Sequence, residues 1–100
     1  MSTIATDSNK ESSIIGTEKF NKKGTYNGKT LNEVINASNA EMATTIKGMG
    51  GSDTIIGSSH DDKLYGGSGD DTLYGGLGDD IITGGTGKNT IVFEKLLAFL

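Results

Sequence analysis

From residue 48 to residue 92 the chain alternates a polar, glycine-rich stretch of six residues with three residues centred on an aliphatic side chain. The alternation runs five times without a gap, as GMGGSDTII, GSSHDDKLY, GGSGDDTLY, GGLGDDIIT and GGTGKNTIV. Position one is always Gly (48, 57, 66, 75, 84), position six is Asp53, Asp62, Asp71, Asp80 and finally Asn89, and position eight is Ile55, Leu64, Leu73, Ile82 and Ile91. The six-residue half predicts a turn, because repeated glycine supplies backbone conformations and close approaches that a side chain obstructs. The three-residue half predicts a short strand, in which position eight faces the core while positions seven and nine face outward.

A chain that reverses every nine residues makes one full coil in eighteen. One sheet then stacks Ile55, Leu73 and Ile91, and the opposite sheet stacks Leu64 and Ile82, with Ile46 starting that column eighteen residues before Leu64. Successive coils lie about 4.8 Å apart, the spacing of parallel strands. Asp53 therefore faces Asp71, and Asp62 faces Asp80.

Two carboxylates about 5 Å apart repel by roughly 3 kcal/mol at an effective dielectric near 20. Asp61, Asp70 and Asp79 add charge beside them. The coil needs a cation, and carboxylates with turn carbonyls form a hard, flexible oxygen shell that suits Ca2+ better than zinc or copper. So few inward aliphatics make a small core, which implies that folding is coupled to calcium binding.

These five nonads resemble the hemolysin-type (RTX) repeats, GGxGxDxUx, of bacterial secreted toxins, metalloproteases, lipases, adhesins and alginate epimerases. The resemblance covers 45 of the 100 residues. It implies an all-β fold, a right-handed parallel β-roll, with calcium held between turns on the same side. The ligands it implies are Asp53, Asp62, Asp71, Asp80 and, more weakly, Asn89. Main-chain carbonyls of Gly48, Gly50, Gly51, Gly57, Ser59, Gly66, Ser68, Gly69, Gly75, Leu77 and Gly78 complete the shells. One site falls between turns 48–53 and 66–71, and another between 57–62 and 75–80. A third, between 66–71 and 84–89, departs from the motif through Lys88 and Asn89. Met49 and Ser58 stand where the second Gly often is, and His60 takes the place of the fourth-position Gly. Because His tolerates left-handed backbone better than most residues, that turn is expected to form.

The flanks are less regular. Residues 1–30 are polar without sustained periodicity and read as a flexible N-terminal segment. Residues 31–47 contain two β-prone pieces, Val34 to Asn36 and Thr44 to Lys47, and read as a degenerate N-terminal coil; Leu31 to Ala43 also fits a short helix, but Thr44, Thr45 and Ile46 run into the register of the repeats. Residues 93–100 begin with Phe93 and a charged Glu94 and finish apolar, which fits a cap over the open end of the coil or an uncleaved secretion signal.

Net charge is −4, and the acidity belongs to the repeats: residues 1–47 carry six Lys and five acids, residues 48–100 three Lys and eight acids. No basic, aromatic-interleaved surface points to nucleic acid, and no stretch is long and apolar enough to span a membrane. The N-terminus lacks the basic and apolar regions of a cleavable signal peptide. The chain has no Cys, which removes disulfides and thiolate metal sites without arguing against export. Ser58, His60 and Asp62 combine the residue types of a hydrolytic triad, yet neighbours on one turn splay apart, so no enzyme activity is expected. GGTGKNT fails the phosphate-loop spacing. The residues and the resemblance together give a calcium-binding module, secreted by bacteria through a type I apparatus, that folds outside the cell. The alternatives are an adhesin or polysaccharide binder using the outward Thr and Tyr faces, Tyr65 and Tyr74 among them, and a non-catalytic part of a larger RTX toxin or enzyme.

Overall fold

The computed structural model describes residues 12–92, and the tail expected to cap the roll lies outside the described residues. Nine short strands form a parallel two-sheet solenoid: β1 (Ser12–Ile15), β2 (Thr25–Asn27), β3 (Asn32–Asn36), β4 (Thr45–Lys47), β5 (Thr54–Ile56), β6 (Lys63–Tyr65), β7 (Thr72–Tyr74), β8 (Ile81–Thr83) and β9 (Thr90–Val92). Odd-numbered strands make one sheet in the order β1-β3-β5-β7-β9, and even-numbered strands make the other in the order β2-β4-β6-β8. Every pairing is parallel.

The inward columns follow the aliphatic eighth positions. In the first sheet Ile55 pairs with Leu73 and Leu73 with Ile91; in the second Ile46 pairs with Leu64 and Leu64 with Ile82. Both columns begin earlier than the nonads do, with Ile15 and Ile35 in the first sheet and Tyr26 in the second. Ile35, Ile46, Ile55, Leu64 and Leu73 are fully buried, whereas Ile91 on the last strand is 40% exposed because no described coil covers it.

Residues 12–30, expected to be flexible, supply β1 and β2 and complete a first coil. The Leu31 to Ala43 stretch forms β3 and a turn, not a helix. Coil length explains why this part resisted a nine-residue reading. Thr54 pairs with Thr72 eighteen residues on, but Ile15 pairs with Ile35, and Ile35 with Ile55, twenty residues on. The additional residues sit in the longer loops before β2 and β4. The first of these loops makes a 3-10 turn (Thr17–Lys19), and Phe20 and Ala40 pack against the core, with the Phe20 ring stacked on Tyr26 at 5.5 Å.

Candidate metal centre

The turns line two edges of the roll. The first edge carries turns 28–33, 48–53, 66–71 and 84–89; the second carries the long loops after β1 and β3, then turns 57–62 and 75–80. On both edges the sixth-position side chain reaches back one coil. Asp53 Oδ1 accepts from Glu33 N–H (2.9 Å), Asp71 Oδ1 from Asp53 N–H (2.8 Å), and Asn89 Oδ1 from Asp71 N–H (2.8 Å). On the second edge Asp62 Oδ1 accepts from Thr44 N–H (2.9 Å) and Asp80 Oδ1 from Asp62 N–H (2.8 Å). One side-chain oxygen, a carboxyl oxygen or the amide oxygen of Asn89, thus satisfies a main-chain donor that strand pairing leaves over.

The second oxygen sets Asp53 and Asp71 apart from Asp62. Asp53 Oδ2 and Asp71 Oδ2 are buried and accept no hydrogen bond, and both residues are 1% exposed. Each faces the space that a first-position glycine leaves open. A methyl group built on Gly48 would lie 2.5 Å from Asp53 Oδ2 and 2.9 Å from the Gly66 carbonyl oxygen of the next coil. On Gly66 it would lie 2.6 Å from both Asp71 Oδ2 and the Gly84 carbonyl oxygen. An unpaired buried carboxylate oxygen is costly, and a carboxylate converging with carbonyls on one space is a cation's donor set. Among the described residues no three His, Cys, Asp or Glu side chains converge. An ion there takes most of its ligands from main-chain carbonyls, as calcium accepts and zinc does not.

The electrostatics agree. Burial, with repulsion from Asp71 and Glu33, pushes the Asp53 carboxyl up to about 7 against the lowering effect of its bond from Glu33 N–H. Burial and the neighbouring Asp70 raise Asp71 as well. Asp80 rises to about 6 through burial and the nearby Asp62 and Asp61.

The family model of the RTX calcium-binding nonapeptide repeat (4 copies) matches residues 41–73 and 56–91, together just over half of the chain. The chain belongs to this family. No curated protein and no solved structure matches it. The RTX repeats bind Ca2+, and this chain is a calcium-binding β-roll module.

The RTX match starts at residue 41, but the roll does not. Turn 28–33 places Gly28, Glu33 and Ile35 at the first, sixth and eighth positions of a nonad, with Glu for Asp. Sequence reasoning missed it, although spacing of one, six and eight with an acidic sixth residue was a usable signal. The longer Glu33 side chain enters its own cradle beside Gly28 and the Gly48 carbonyl. There Oε2 accepts from the Tyr26 hydroxyl (3.0 Å) and Oε1 from Lys29 N–H (3.2 Å). Burial, and then the bond to Glu33 and its charge, push the Tyr26 phenol up to about 12.

At the other end Asn89 keeps the ladder bond but turns Nδ2 to the Gly85 (3.2 Å) and Thr86 (3.4 Å) carbonyl oxygens of its own turn. Lys88 does not approach the cradle through its main chain, since its N–H donates to Asp70 Oδ1 (2.9 Å). The third pair of turns therefore offers the same two oxygens, Asp71 Oδ2 and Gly84 O, as the first pair offers through Asp53 Oδ2 and Gly66 O.

The turn at 57–62 forms, but not through left-handed backbone at His60. Met49, at position two, has φ 72°, and Gly67, Gly76 and Gly85 at the same position have φ 89°, 79° and 86°. Met49 is the one non-glycine with positive φ among the described residues, so neither Ser58 nor His60 adopts it. Asp62 Oδ2 instead accepts from Ser58 N–H (2.9 Å), and Oδ1 accepts from the hydroxyls of Ser58 (2.6 Å) and Thr44 (2.8 Å). His60 meets Ser58 through its main-chain N–H (3.0 Å).

Proposed function

We propose that this roll is a module of a secreted bacterial protein, unfolded at the low calcium of the cell interior and folded by calcium outside. Its role is structural or export-coupled, with a type I secretion apparatus as the machinery that would carry it. The observation that supports this most is the pair of buried carboxylate oxygens, Asp53 Oδ2 and Asp71 Oδ2, each facing a carbonyl of the next coil with no hydrogen-bond donor. Without an ion those oxygens oppose folding, and among the described residues the fully buried core is Ala37 and five Ile and Leu side chains. Asp53 with Gly66 O, and Asp71 with Gly84 O, are the ligands this reading relies on, and carbonyls of Gly50, Gly51, Ser68 and Gly69 complete the shells.

The surface-binding reading has less support. Tyr65 lies on β6 and Tyr74 on β7, in opposite sheets, so the two outward rings make no common platform.

Calcium titration followed by far-UV circular dichroism tests the proposal. A midpoint of roughly 0.1 to 1 mM, the range of extracellular calcium modules, is expected. A submicromolar midpoint contradicts a switch thrown by export.

A further inference from the structure

Five of the sixth-position residues make the same ladder bond, yet their remaining polar atoms differ. Two aspartates on the first edge, Asp53 and Asp71, bury a bare oxygen. Asp62, equally buried at 1% exposed, has none: the Ser58 N–H and hydroxyl and the Thr44 N–H and hydroxyl account for both of its oxygens. The cause is the second position of the turn. Left-handed backbone is disfavoured for a residue with a Cβ; Met49 adopts it even so, whereas Ser58, whose hydroxyl bonds Asp62 within the turn, does not. With that backbone Ser58 N–H donates to the carboxylate four residues on. The Ser58 hydroxyl, 2% exposed as part of the residue, closes the ring of donors.

We propose that Ser58 and Thr44 replace a calcium ion at Asp62, so that turn 57–62 is closed by protein hydrogen bonds alone and calcium goes to the cradles of Asp53 and Asp71. The inference rests on the calcium-binding reading above. Asp62 then serves as a structural acceptor, in contrast with the site its motif position implies. Two hydroxyls and two N–H groups already supply four hydrogen bonds to this carboxylate. An ion would have to displace several of them and leave buried donors unpaired, which is unfavourable. The Gly75 carbonyl does approach this cradle, since a methyl group on Gly57 would lie 3.0 Å from it and 2.6 Å from Asp62 Oδ2. What this cradle lacks is the bare carboxylate oxygen.

Equilibrium dialysis of the full chain against saturating calcium, counting bound ions, decides the matter. Asp53→Asn should lose one ion and Asp62→Asn none. Ser58→Gly, which removes the hydroxyl and allows the left-handed backbone that withdraws the residue 58 N–H from Asp62 Oδ2, should gain one. A gain cannot come from misfolding, so this variant keeps the test valid if Asp62→Asn folds poorly. Loss of one ion in a folded Asp62→Asn, or an unchanged count in Ser58→Gly, overturns the inference while leaving the calcium-binding reading intact. A wild-type chain that binds no calcium overturns both.

Discussion

Asp53 donates its main-chain N–H to Asp71 Oδ1 at 2.8 Å, while the Oδ2 atoms of the same two residues stay buried without a partner. The carboxyl group is divided in function. One oxygen ties coil to coil whether or not an ion is present, and the other is stabilised by a cation.

That division separates two substitutions. Asp71→Asn keeps the Oδ1 acceptor and gains an amide that can donate to turn carbonyls, as Asn89 does to Gly85 and Thr86. The metal-free roll should become more stable, by about 1 kcal/mol, while calcium binds more weakly. Asp71→Ala removes both oxygens and leaves the buried Asp53 N–H unpaired, at a cost of about 1–3 kcal/mol. Urea unfolding with and without calcium checks both, and identical behaviour of the two variants contradicts the division.

Protons compete with calcium for the bare oxygens. The folded, metal-free chain holds Asp53 up to about 7 and Asp80 up to about 6, against 3.8 ordinarily, and Asp71 is raised too. Between about pH 4 and pH 7 the folded state therefore binds more protons than the unfolded one, so the stability of the metal-free roll falls as pH rises through this window. In calcium-free buffer, β content at pH 5 should exceed that at pH 8. The calcium midpoint should move the other way, falling as pH rises through about 7. Circular dichroism titrations at the two pH values report both, and a calcium midpoint that does not depend on pH contradicts the raised carboxyls.

Core residues outside the matched repeats should matter as much as those inside. Ile35 and Leu73 are both fully buried and belong to one column. Ile35→Ala and Leu73→Ala should each cost about 2–5 kcal/mol in urea unfolding at saturating calcium. A negligible effect of Ile35→Ala would mean that the first coils do not share the cooperative fold.

The two columns of aliphatic residues from Ile46 and Ile55 onward were legible because an eighteen-residue coil repeats its register without error, and side-chain direction follows from strand alternation. Ile15, Tyr26 and Ile35 were not, because loops two residues longer shift the period to twenty and break any strict nine-residue match. Glu33 was hidden by the same shift and by its substitution for Asp. Ser58 shows a different limit. Its position in the motif is plain in the sequence, but the alternative turn it selects depends on Thr44 from the preceding coil, a partner that only the packed solenoid brings into reach.

The most direct test of calcium as the stabiliser of this roll is the far-UV circular dichroism of the whole chain in chelator, in magnesium and in calcium at equal concentration. Carbonyl-rich cradles with one bare carboxylate oxygen suit calcium, whereas magnesium sheds its water reluctantly. A largely disordered spectrum in chelator and in magnesium, converting to β structure in calcium, is the predicted result. The same β spectrum in all three would contradict it, because Asp53 Oδ2 and Asp71 Oδ2 would then be buried bare at no cost to the fold.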